Sequence, residues 1–122
     1  SSEEQLSRRE SESEKAVPNN KKKDMRKARA DFVTRRSRTL SPYKQKIEET
    51  EKTIEQTEEQ LHQDTQSLIE ASYAQNRPAI VRLSESLQQM RARIDVLYEQ
   101  LEEMTEKYEM EKLGFDRELS DL

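Results

Sequence analysis

The chain has 122 residues, 30% hydrophobic and 39% charged, with one Gly, three Pro and no Cys. So little apolar surface cannot offset the entropy of ordering a globular core, which leaves disorder or long helices sharing a narrow apolar seam. Abundant Glu, Gln, Lys, Arg and Leu with almost no Gly favours the helices. The absence of Cys excludes disulfides and thiolate metal sites. No apolar run approaches the ~20 residues of a membrane span, and the opening residues show no signal-peptide or transit pattern. A cytoplasmic protein without membrane contact is therefore expected.

The formal net charge of −4 conceals a sharp segregation. Residues 1–14 carry two basic and five acidic groups, net −3; residues 15–46 carry twelve basic groups against Asp24 and Asp31, net +10. Residues 47–122 carry eight basic and nineteen acidic groups, net −11. The pattern is that of an acidic scaffold bearing a separate basic contact surface.

Along the chain, residues 1–18 are rich in Ser and Glu without a sustained apolar period, and read as a disordered linker or tail. Asn19 and Asn20 then offer helix caps. They lead into a basic helix over residues 19–40 with a modest apolar stripe of Met25, Ala28 and Phe32. Ser41-Pro42 has the chemistry of a fresh helix start, so a break or kink near Leu40 is expected.

Residues 41–122 carry a seven-residue repeat. In its first helix Ile47, Ile54, Leu61 and Leu68 hold one core position, with Tyr43, Thr50, Thr57 and Asp64 at the other. In the second, Ile80, Leu87, Ile94, Leu101 and Tyr108 alternate with Leu83, Met90, Leu97 and Met104, four repeats without an apolar miss. Between them Asn76 and Pro78 disfavour helix, placing a tip near residues 71–79. Pairing Leu68 with Leu83, Leu61 with Met90, Ile54 with Leu97 and Ile47 with Met104 keeps one constant register and puts the reversal between Gln75 and Asn76. The expected fold is all-α: a monomeric two-helix antiparallel coiled-coil hairpin behind a short basic helix and a disordered N-terminal tail. Leu113, Phe115, Leu119 and Leu122 continue an apolar pattern beyond Gly114.

Catalytic chemistry has little to work with. A single glycine cannot build a phosphate loop, and the lone His62 lacks the orienting partner and co-ligands that catalysis or metal binding needs. No catalytic residue, metal ligand or cofactor is assigned. The strongest feature is the basic lead. Lys21, Lys22, Lys23, Arg26, Lys27, Arg29, Arg35, Arg36, Arg38, Lys44 and Lys46 have the density to neutralise several phosphates of DNA or RNA, in a salt-sensitive and sequence-blind manner. The bland alternative is a solubilising linker, or one that only pairs with the acidic shaft. Stacking aromatics are sparse, which argues against base-specific single-strand recognition. Tyr73, Arg77 and Arg82 form a candidate tip contact, with packing of Tyr73 on Ile69 and Ile80 as its structural alternative.

The basic linker, the run Pro42-x-Lys44-x-Lys46-Ile47-Glu48-x-x-Glu51-x-x-Ile54, Tyr73 at the reversal and Asp95-x-Leu97-Tyr98-x-x-Leu101-Glu102 together resemble the C-terminal coiled-coil domain of the ABC-F ATPases. The Uup-like and related members of that family are tandem ATP-binding-cassette proteins. The resemblance covers about residues 21–112. It implies an accessory domain of a larger protein acting on ribosomes in translation, with DNA or ribosomal RNA and the parent's own ATPase cassettes as partners. ATP and magnesium would then be bound by those cassettes alone, whose Walker motifs are not found in this sequence. Family members often have a tryptophan late in the second helix; this chain has none, and Leu101 is one residue that would serve there. A structural coiled-coil adaptor for protein–protein interaction is the second reading.

Overall fold

A computed structural model of the chain describes residues 2–5 and 18–121. Residues 2–5 form an exposed helical turn, where a disordered tail is expected from composition; the rest of that expectation lies outside the described residues. The other helices are α1, Asn19–Tyr73, and α2, Arg77–Ser120, and no strand occurs among the described residues. The chain divides into two compact units, Ser1–Arg38 and Thr39–Leu122.

The expected break near Leu40 is absent: α1 is one helix of 55 residues that passes through Pro42. There is accordingly no separate basic helix ending at residue 40. Proline in a helix interior removes one N–H, here the donor to the Arg38 carbonyl, and costs about 3 kcal/mol. Offsetting that cost, Leu40 is the most deeply buried large side chain, 1% exposed, and Tyr43 and Ile47 continue its spacing as half-buried residues. Burying each such apolar side chain contributes about 1.5–3 kcal/mol. Long-range packing therefore outweighs the local signal of Ser41-Pro42.

In the second unit the two long helices pack against each other. The buried and half-buried positions of α1 are Leu40, Tyr43, Ile47, Thr50, Ile54, Thr57, Leu61, Asp64, Leu68 and Ala71, with Thr39, Thr53 and Thr65 alongside. Those of α2 include Ala79, Leu83, Leu87, Met90, Ile94, Leu97, Leu101, Met104, Tyr108 and Phe115. Steps of three and four return to one helix face, so each set is a single stripe. Cross-helix contacts join Lys44 to Tyr108, Glu58 to Tyr98 and Asp64 to Ser86, so positions rising along α1 meet positions falling along α2.

The threonines of the stripe are satisfied within their own helix, and Asp64 within its own helix and across to α2. Thr50 is only 5% exposed, and its hydroxyl donates to the Lys46 carbonyl at 2.8 Å. Thr57 donates to Thr53 O at 2.7 Å, and Thr65 to Leu61 O at 2.7 Å. Asp64 accepts from Gln60 Nε2 at 2.9 Å and from Ser86 Oγ at 3.5 Å. No buried side-chain nitrogen or oxygen lacks a partner among the described residues. These residues contribute less apolar burial than leucines would, without the larger penalty of an unpaired buried group.

Residues 74–76 link the helices. The N–H of Asn76 reaches Ala71 O at 3.0 Å and that of Gln75 reaches Ser72 O at 3.2 Å, the nested pair of a Schellman cap. Gln75 takes the left-handed conformation such a cap requires, with φ 55°. Asn76 then caps α2, its side-chain oxygen accepting from Ala79 N at 3.2 Å, with Pro78 in the first turn.

Two substitutions, one to glycine and one from it, test this reading. A left-handed glutamine is strained where glycine is not, so Gln75→Gly is expected to raise the unfolding free energy by about 1 kcal/mol. Gly114 lies inside α2, and an added Cβ there would meet nothing within 4 Å. Gly114→Ala is likewise expected to stabilise by about 1 kcal/mol. Urea denaturation of each variant checks both, and a loss of stability in either contradicts the corresponding backbone assignment.

The Tyr98 hydroxyl donates to Glu58 Oε1 at 2.6 Å, bracing α2 against α1 at the rim of the stripe. Three effects raise the phenol's pKa above its ordinary value: the hydrogen bond to Glu58 first, then desolvation, then the carboxylate's charge. A raised folded-state pKa means that this contact's stabilisation is fully present below the unfolded phenol's pKa. It is lost as pH rises through the folded value. An alkaline absorbance titration should show Tyr98, identified by difference against Tyr98→Phe, ionising late, and Glu58→Gln should bring it back toward an ordinary phenol.

Candidate nucleic-acid interface

The lead cations are divided by the helix they lie on. In the first unit Lys22, Met25, Arg29, Phe32 and Arg36 are the positions with reduced exposure, Phe32 being buried and the others half-buried. Their spacing of three and four makes them one face of α1. The apolar stripe expected from sequence named Ala28, which is exposed; Arg29 holds the half-buried place instead. Long cationic side chains achieve this by laying their methylene stems along apolar surface while the charged head stays in water.

Lys21, Lys23, Arg26, Lys27, Arg35 and Arg38 are exposed. At 100° per residue Lys23, Lys27 and Arg38 fall on the side of α1 opposite the Met25–Phe32 face, with Arg26 beside them. The Arg35 guanidinium sits 5.8 Å from the Phe32 ring centroid, a cation–π contact within one turn of helix. Lys44 and Lys46, on the part of α1 in the second unit, are also exposed, and Lys44 Nζ lies 5.9 Å from the Tyr108 ring centroid. Helical geometry thus sorts eleven cations that look alike in sequence into eight exposed ones and three on the half-buried face.

The tip residues differ from the packing alternative. Tyr73 is 88% exposed and Ile69 is exposed beside it, so the ring does not pack into the fold. Arg77 and Arg82 are exposed on α2. His62 stands exposed at a shallow groove lined by Glu58, Leu61, Thr65, Arg91, Ile94 and Asp95. A second such groove is lined by Lys46, Glu49, Thr50, Thr53, Arg93, Val96, Leu97 and Gln100. Among the described residues no three His, Cys, Asp or Glu side chains are grouped to hold a metal ion, and no helix is long and apolar enough to cross a membrane.

The outward faces of the second unit are acidic. Residues 47–70 carry eight acidic groups against Lys52, and residues 94–122 carry ten against Lys107, Lys112 and Arg117. Residues 71–93 reverse the sign, with Arg77, Arg82, Arg91 and Arg93 against Glu85. The Lys107–Glu103 pair at 3.1 Å is exposed on one helix face and contributes little to stability. No family model, curated protein or solved structure matches the chain.

Proposed function

We propose that the chain is a non-catalytic, nucleic-acid-binding accessory domain, the C-terminal coiled-coil domain of an ABC-F ATPase, built as an antiparallel coiled-coil hairpin. The hairpin reading is supported by the opposed order of the Lys44–Tyr108, Glu58–Tyr98 and Asp64–Ser86 contacts, and by burial at the positions of the seven-residue repeat. DNA or ribosomal RNA is the ligand. The observation that carries this reading is the exposure of eight lead cations in a segment that is net +10 over residues 15–46. Each such cation placed against a phosphate releases condensed counterions, so affinity comes from the solvent's entropy and needs no shaped pocket. Catalysis and nucleotide hydrolysis would belong to cassettes elsewhere in the parent protein.

A structural adaptor that binds another protein is the second reading. It is favoured by the exposed Val81, Val96, Met110 and Leu113 on α2, with Met110 at 74% exposure. The two readings differ in salt dependence, because burial of apolar side chains is insensitive to screening.

Binding of the purified chain to duplex DNA and to structured RNA across a salt series separates them. The expected log–log slope is steeper than about −3, corresponding to three or more phosphates neutralised. Reversing the exposed Lys21, Lys23, Arg26 and Lys27 to Glu should abolish binding, while Lys22→Gln on the half-buried face should flatten the slope by less than about one. No binding to either nucleic acid at low salt would leave the adaptor reading in place.

A further inference from the structure

The link between the helices carries side chains that the fold does not use. The side chain of Tyr73, the last residue of α1, makes no hydrogen bond or ring contact among the described residues, and its ring is almost wholly in water. Arg77, the first residue of α2, stands where no acidic residue occupies the first turn. Arg82 is exposed five residues further on, roughly one and a half turns along α2, and Ala74, Pro78 and Val81 are exposed in the same stretch. The backbone between Tyr73 and Arg77 is closed by the Asn76–Ala71 and Gln75–Ser72 hydrogen bonds and by the Asn76 cap, so both residues flank a fixed turn.

Aromatic rings are ordinarily buried because they carry a large apolar area. An exposed ring, a left-handed non-glycine residue and a cation in the first turn all run against local stability, and such conflicts gather where a surface serves a ligand. The charge says which kind. The stretch 71–93, which contains the tip, is basic, and the acidic stretches 47–70 and 94–122 that flank it repel a polyanion. A nucleotide whose base is unpaired supplies, in one unit, a flat π face and a phosphate beside it. A fully paired duplex offers the phosphate and keeps its base faces stacked on one another.

We propose that the tip binds an unpaired base of a nucleic acid, stacked on the Tyr73 ring, with Arg77 and Arg82 on the flanking phosphates. The proposal rests on the nucleic-acid reading above and adds to it a preference for bulges, loops or single-strand junctions. It is sequence-blind, since every base has a π face and there is one ring to receive it.

The test uses the full chain and two probes, a plain duplex and the same duplex with one bulged 2-aminopurine. The expected result is about tenfold tighter binding to the bulged probe, the effect of stacking one base on one ring, with the probe's fluorescence quenched. Tyr73→Phe should keep both the preference and the quenching. Tyr73→Leu should lose both while its circular dichroism stays that of the parent, because nothing in the fold rests on this ring. Equal binding of both probes by the parent chain, or a preference that survives Tyr73→Leu, overturns the tip proposal and leaves the basic lead's role intact. Failure of both probes to bind at low salt overturns the tip proposal and the nucleic-acid reading together.

Discussion

The narrow apolar stripe shared by α1 and α2 is the constraint on which the second unit depends. In a chain that is 30% hydrophobic, each position of this stripe at a spacing of three or four carries a large share of the unit's stability. The stripe's authority shows at Pro42, where the missing N–H and the ring's clash are overridden by the burial of Leu40 and its neighbours. It shows again in the threonines of α1, which face the partner helix and return their hydroxyls to their own backbone. A polar seam of this kind gives up apolar burial but leaves no orphaned donor, and its mixed composition disfavours other registers.

The stripe is narrow, and although a few apolar side chains such as Val81 and Met110 lie outside it, most of the remaining surface is organised by charge. On the second unit that organisation is an acidic shaft with a basic tip; on the first it is a cationic helix face opposite a half-buried one. Exposed charge has little effect on stability pair by pair, so these patterns can be set by partners at small cost to the fold. The nucleic-acid binding proposed above would act through field and counterion release and would need no pocket; the grooves between the helices are shallow.

The link at residues 74–76 shows the opposite balance, where local chemistry governs and tertiary packing contributes little. Its geometry follows from the helix ends themselves: unsatisfied carbonyls at Ala71 and Ser72 take the N–H groups of Asn76 and Gln75, and the Asn76 side chain serves the next helix. The arrangement leaves Tyr73 outside the core, since a ring at the last residue of α1 has no facing helix surface left to meet.

Much of this architecture was legible without coordinates. Seven-residue spacing names the buried face because helix geometry brings those positions together whatever surrounds them, and Asn76 with Pro78 marks where the helices part. Charge segregation is likewise a property of the chain alone, and it singled out the basic lead and tip as candidate contacts before any side chain was placed. The fold decided what depends on remote partners. It carried α1 through Pro42, half-buried Arg29 in place of Ala28, left Tyr73 in solvent and joined Tyr98 to Glu58 across 40 residues of sequence. Each of these turns on which surfaces meet, a quantity that local propensity does not contain, since the free energy of burial belongs to pairs of segments and not to either one.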